Sequence, residues 1–331
     1  MKMRDSISKK QECKLLPNQR VVGKWHKNSY RIIKQLGYGA TGTVYLAEFG
    51  NELVALKIAS DSMSISSEVN VLRHFSKVQG PSLGPHFIDT DDFVTTQGVY
   101  PFYVMEYIQG ESFLPFVRQR GAEWVGILIV QLLKDLEKLH QEGWVFGDLK
   151  PENLLVTKKP YQVRWIDVGG MTRVGRSIKE YTEFFDRGYW GLGSRKAETS
   201  YDLFSVAMLI INRSYPARFE KKGHDSLRTL LTKFREKTEL KPYESIFRKG
   251  IKGEYSSGLV MRKELIQIIQ TTSFTPQVEK QLKSPLRKQQ KGLKKKKRKK
   301  KKLHIVGFME TLVVASFLLI IYILYLFGQT M

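Results

Sequence analysis

The chain has 331 residues and is 42% apolar, enough to bury a core in one large or two small domains, which excludes a wholly disordered protein. Its 55 Lys and Arg against 32 Asp and Glu give a net charge of +23, which requires an anionic partner without choosing between phospholipid, nucleic acid, nucleotide and acidic protein. A lone cysteine, Cys13, excludes an intramolecular disulfide and points to a reducing compartment.

Residues 1–27 read as a polar N-terminal extension without the apolar segment of a signal peptide, so the N-terminus is expected in the cytosol. Residues 30–57 alternate as strands around a glycine cluster. A helix is predicted over 65–75, where Ile65, Val69 and Leu72 recur at helical spacing, and strand character returns at 102–107. An amphipathic helix is predicted over 123–140, and the apolar run 203–211 reads as a buried helix. The pattern predicts an α+β fold with two lobes: a small β-rich lobe to about residue 107, then a larger helical one to about residue 270.

Residues 271–331 hold 14 basic and 2 acidic residues, more than half of the excess charge. Residues 271–302 contain two prolines and nine consecutive basic residues from Lys294 to Lys302, and are expected to be a solvated linker. The 17 residues 311–327 carry no charge and would span about 26 Å as a helix, which residues 303–308 can extend. One transmembrane helix is therefore predicted over 303–327. The basic flank places the rest of the chain on the cytoplasmic side and leaves a short tail, 328–331, on the other.

Gly37, Gly39 and Gly42 form a G-x-G-x-x-G with Val44 two residues on. A dinucleotide site needs a helix directly after such a loop; here a strand follows, which favours a flap over phosphates. Lys57 ends the apolar strand that contains Ala55, and an unpaired ammonium there is costly to desolvate. Glu68 on the next helix can supply one carboxylate, and nucleotide phosphates the other partner. Further on stand Asp148-Leu149-Lys150-Pro151-Glu152-Asn153 and Ile166-Asp167-Val168-Gly169.

In this order the four motifs resemble those of Hanks-type serine/threonine protein kinases over about residues 28–215. The resemblance implies a kinase fold and phosphoryl transfer from ATP with Mg2+, or Mn2+ in its place, to Ser or Thr of protein substrates. It implies Asp148 as the residue that accepts or orients the acceptor hydroxyl, Lys150 on the γ-phosphate, and Asn153 and Asp167 as metal ligands. Glu106 and Tyr107 resemble the segment that meets adenine, and Asp202 the aspartate that anchors the catalytic loop; His140 is given no role.

The chain departs from that pattern at Phe146-Gly147, where His-Arg is usual, at Val168 for Phe, and in lacking Ala-Pro-Glu, with Glu198 only four residues before Asp202. Without the arginine, switching by a phosphorylated activation segment is not expected. Thr172, Ser177, Tyr181, Thr182 and Ser194 offer hydroxyls for modification. Residues 179–184 and 186–191, with the basic linker and C-terminal anchor, resemble the YabT-like kinases of endospore-forming bacteria, which implies a link to sporulation or chromosome maintenance. The basic run, with Arg173, Arg176, Lys179 and Arg187, suits anionic lipid and also a DNA backbone. The competing class is a membrane-anchored pseudokinase that acts only as a binding module.

Overall fold

The computed structural model describes residues 13–39, 41–76, 84–221 and 223–282. Residues 1–279 form one compact unit and 280–331 a second, of which only the first three residues are described. The basic run 294–302, the expected membrane span 303–327 and the tail all lie outside the described residues. Among the described residues no helix is long and apolar enough to cross a membrane.

Six strands build the first lobe: β1 (Arg20–Val22), β2 (Ser29–Gly39), β3 (Gly42–Phe49), β4 (Glu52–Ile58), β5 (Phe87–Thr95) and β6 (Gly98–Glu106), with α1 (Ser62–Ser76) inserted after β4. They form one antiparallel sheet in the order β1-β2-β3-β4-β6-β5. In β4, at the centre, residues 54–58 are all buried, as expected for a strand covered on both faces. Strand parity sorts them: Val54, Leu56 and Ile58 join Tyr30, Ile32, Phe102 and Val104 in one core, while Ala55 shares the other with Tyr103, Met105 and the Ile65-Val69-Leu72 face of α1. Lys57 falls on the Ala55 side and so faces α1.

The second lobe begins with β7 (Gly110–Ser112), α2 (Phe113–Arg120) and α3 (Ala122–Gln141). In α3, Val125, Leu128, Ile129, Leu132, Leu133, Leu136 and Leu139 recur at three- and four-residue spacing and are all buried. Each contributes about 1.5–3 kcal/mol by leaving water. Short strands β8 (Trp144–Val145), β9 (Leu154–Thr157), β10 (Val163–Trp165) and β11 (Thr172–Arg173) follow, paired as β10-β9-β7 and β11-β8. They bracket the two segments that carry chemistry. The short helix α4 (Arg187–Trp190) precedes α5 (Thr199–Asn212), which is buried from Tyr201 to Asn212, in keeping with its nearly continuous apolar run.

Helices α6 (Ser226–Arg235), α7 (Glu244–Lys252) and α8 (Gly258–Leu282) complete the lobe. The last corrects an expectation, since α8 continues to Leu282 through the first part of the segment read as linker. Residues 271–275 carry no helix breaker, and Pro276, one of the two prolines of that segment, does not end the helix despite its missing donor and the crowding of its ring on the preceding turn.

Candidate active site

The ammonium of Lys57 lies 2.7 and 2.8 Å from the two carboxylate oxygens of Glu68, and the two side chains are only 5% and 3% exposed. The pair also holds Tyr103, whose hydroxyl donates to Glu68 at 2.6 Å, and Thr41, whose hydroxyl accepts from Lys57 at 2.8 Å. Burial and the nearby charges of Glu68 and Asp167 push the Tyr103 phenol well above its ordinary pKa, so it remains a donor throughout the accessible pH range. Sequence patterning missed Tyr103 and Thr41. The signal for Tyr103 was available, because it stands opposite Lys57 across the β4–β6 ladder and shares its face.

Asp148 follows β8 in a loop fixed from below by Asp202. The fully buried Asp202 carboxylate accepts from the amides of Phe146 (2.8 Å) and Gly147 (3.0 Å) and meets His140 Nε2 at 2.8 Å. The bond to Asp202 ties His140, given no role from the sequence, to this anchor. Around Asp148 itself, Lys150 donates at 2.5 Å, and the Asn153 amide donates to the Asp148 carbonyl at 2.9 Å. That bond uses the nitrogen of Asn153 and leaves its side-chain oxygen available for a cation.

Two glycines set how closely the Asp148 and Asp167 segments approach. Gly147 has φ +83, and a Cβ there would stand 2.6 Å from the Gly170 carbonyl; a Cβ on Gly170 would stand 2.9 Å from Asp148 Cβ. The usual arginine therefore has no room at position 147, which accounts for that departure in steric terms. At the neighbouring Gly169, a Cβ would lie 3.3 Å from oxygens of both Asp167 and Glu68. The Gly169-Gly170 backbone thus runs close to Asp167 and Glu68 on one side and to Asp148 on the other, which brings the Lys57–Glu68 pair and the Asp148 and Asp167 segments together. Phe146 and Val168 fill apolar positions, Phe146 packing edge to face on Trp165 at 5.1 Å.

Gly37 and Gly39 sit at the end of β2 and Gly42 opens β3, with Val44 directly opposite Lys57. Gly42 is demanded by the fold: its φ is +140, and a Cβ would collide with the Ile58 carbonyl at 2.5 Å. A Cβ on Gly37 or Gly39 would meet nothing within 4 Å. Internal packing does not require glycine at those two positions. Ala55 lies opposite Met105, and Tyr107 follows β6 against the larger core.

Glu106 ends β6 with its amide donating to the His86 carbonyl at 2.8 Å. Burial opposes ionisation of its carboxyl, but the Arg164 fork and the His86 amide outweigh it and hold the pKa below the ordinary value. The Glu106 amide and carboxylate are thus both engaged within the protein.

The activation segment contributes two groups that the sequence did not assign to the site. The Thr182 hydroxyl donates to Asp148 at 3.0 Å and accepts from Lys150 at 3.2 Å. The Glu180 carboxylate lies 3.5 Å from the point a Gly169 Cβ would occupy. Burial first, then the charges of Asp167, Glu68 and Asp148, raise the Glu180 pKa against the opposing pull of Lys57. Beyond them, buried Asp186 accepts from the amides of Gly188 and Tyr189, from Arg195 and from the Tyr201 hydroxyl, while Arg187 pairs with Glu198 at 3.0 Å. This network closes the segment without Ala-Pro-Glu. It also removes Arg187 from the basic surface expected of it, because that side chain is buried; Arg173, Arg176 and Lys179 are exposed.

Mg2+ fits the donor set. Among the described residues no group of three or more His, Cys, Asp or Glu could hold a metal ion. One carboxylate, Asp167, and one amide oxygen, Asn153, are hard oxygen donors of the kind that bind Mg2+ together with phosphates and water.

Residues 30–283 match the family model of the protein kinase domain. The chain is 47% identical over 281 residues to the serine/threonine-protein kinase YabT of Bacillus subtilis, covering 84% of this chain and 82% of that protein. It is 27% identical over 198 residues to the serine/threonine-protein kinase PknD of Mycobacterium tuberculosis, covering 55% of this chain and 29% of that protein. The crystal structure of the Mycobacterium tuberculosis PknI kinase domain superposes with a TM-score of 0.52 at 14% identity, over 78% of this chain and all of that one, a likeness of fold alone.

Proposed function

The chain belongs to the protein kinase family and is a serine/threonine protein kinase, and we propose that it transfers the ATP γ-phosphate to protein hydroxyls at the cytoplasmic face of a membrane. The observation that supports the residue roles is the closeness of the Gly169-Gly170 backbone to Asp167 and Lys57-bound Glu68 on one side and to Asp148 on the other. Asp148, held by Lys150, Thr182 and Asn153, orients the acceptor hydroxyl and takes its proton. Lys57, kept in place by Glu68, meets the α and β phosphates, and Lys150 meets the γ-phosphate. Gly37, Gly39 and Gly42 let the β2–β3 turn cover the phosphates, and Val44, Ala55, Glu106 and Tyr107 border the base. Asn153 and Asp167 would hold Mg2+, which would supply neutralisation of the charge spreading over the phosphates.

Residues 303–327 anchor the chain in this reading, with the basic run on the cytoplasmic side. Support comes from the uncharged length of that segment and its nine-residue basic flank. A link to sporulation rests on the resemblance to YabT-like kinases alone. A response to DNA rests on the exposed Arg173, Arg176 and Lys179 together with residues 294–302.

The nucleotide site is tested by thermal unfolding of the full-length protein in detergent. Mg2+ with ATP raises the melting temperature of the wild type, and Asp167→Asn removes the Mg2+-dependent part. No ligand-induced shift in the wild type would contradict the proposed site. For DNA, full-length protein should retard duplex DNA at low salt and lose it steeply as salt rises; no retardation at low salt would end that part of the proposal.

A further inference from the structure

We propose that Ile178 is an apolar latch that holds the activation segment against the catalytic loop without phosphorylation, and so acts as a positioning residue for the transfer; the inference rests on the kinase reading above. Ile178 is 7% exposed, whereas its neighbours Arg176, Ser177 and Lys179 are all exposed. A single buried apolar side chain in an exposed run marks a point where the segment docks. It joins neither of the two large cores. Its cluster is separate, and among the described residues its other buried members are Val145, Ala197 and Tyr201.

Each partner belongs to a different part of the site. Val145 ends β8, three residues before Asp148, and Tyr201 immediately precedes the anchor Asp202. Ala197 lies on the returning arm of the activation segment. There the Ile178 amide donates to the Arg195 carbonyl at 2.9 Å, and the Ala197 amide to the Arg176 carbonyl at 2.7 Å. At Gly147 a Cβ would come 3.5 Å from Ile178 Cδ1, so the latch also lies against the residue before Asp148. The one polar side chain of the cluster points away from this need: the Tyr201 hydroxyl donates to Asp186 at 3.0 Å. Closure is therefore driven by removing apolar surface from water, which requires no phosphate and no cation to receive one.

Two contacts depend on where Ile178 sits. The next residue, Lys179, donates to the Ser67 hydroxyl on α1 at 3.2 Å, beside Glu68. Four residues on from Ile178, Thr182 bonds Asp148. One buried side chain thus sets the activation segment against both α1 and the Asp148 loop.

The test compares full-length wild type with Ile178→Val and Ile178→Thr, replacements of nearly the same shape that differ by a methyl against a hydroxyl. Wild type freed of phosphate by a protein phosphatase, and checked by intact mass, should phosphorylate a protein substrate without a lag. Ile178→Val should keep most of kcat. Ile178→Thr should lose about tenfold in kcat with the KM for ATP little changed, and hydrogen exchange should quicken at the Ile178 and Ala197 amides while α3 and α5 stay protected. A lag that prior incubation with ATP removes, equal kcat for the Val and Thr variants, or exchange that quickens equally throughout the large lobe would overturn the proposal and leave the kinase reading intact. No transfer by the wild type, with or without prior ATP, would overturn both.

Discussion

The side-chain hydroxyl of Thr182 donates to a carboxylate oxygen of Asp148 at 3.0 Å, from a position 34 residues further along the chain. The bond ties the activation segment to the catalytic loop, and Lys150 completes the triangle. Thr182 is a positioning residue in this arrangement. Thr182→Val should lower kcat by about 100-fold, the cost of a catalytic group displaced by an ångström, with the KM for ATP little changed. Thr182→Ser keeps the hydroxyl and should restore most of the rate. Steady-state kinetics of the two variants checks this.

Lys57 and Glu68 form a buried ion pair, so removing one partner strands the other. Lys57→Met leaves Glu68, among the described residues, with the Tyr103 hydroxyl and should cost about 3–5 kcal/mol of stability as well as phosphate contact. Denaturant unfolding of the full-length protein measures the first effect and nucleotide titration the second.

Asp202 leaves two buried amides without an acceptor when it is replaced by Ala. At about 1–3 kcal/mol for each unmet donor, Asp202→Ala should destabilise the protein by about 2–6 kcal/mol and release the Asp148 loop. Asp202→Asn retains one acceptor oxygen and should cost less. Comparing melting temperatures of the two variants tests the ranking.

Glu180 gives a dependence on pH. Its folded pKa lies above the ordinary glutamate value, so its contribution favours the fold at low pH and is lost as pH rises through the folded pKa. Burial and the charges of Asp167, Glu68 and Asp148 disfavour its ionised form against the opposing pull of Lys57. Glu180→Gln should therefore raise the melting temperature at pH 7 in the absence of Mg2+, and the gain should vanish below the unfolded glutamate range. Melting curves of wild type and variant across pH give the comparison.

The catalytic segments were legible in the sequence because their chemistry is local: a lysine in an apolar strand, or an aspartate two residues before a lysine, carries its own anomaly. The lobes were legible too, since the α3 and β4 apolar patterns match their observed burial. Thr182, Thr41 and Tyr103 were not, because a hydroxyl in a loop or strand looks ordinary until the fold brings a carboxylate or ammonium to it. Arg187 failed in the opposite direction: its charge was visible but not Glu198 as its partner. The helix to Leu282 was hidden by Pro276, whose local penalty is outweighed by the helix it sits in.

The most direct measurement is phosphate transfer from γ-labelled ATP with Mg2+ to a protein substrate by the full-length chain, with phosphoamino-acid analysis of the product. The expected result is phosphoserine or phosphothreonine from the wild type and none above background from Asp148→Asn, which still binds nucleotide. Label transferred equally by wild type and Asp148→Asn, or tight Mg·ATP binding by the wild type with no transfer to any protein, would contradict the account.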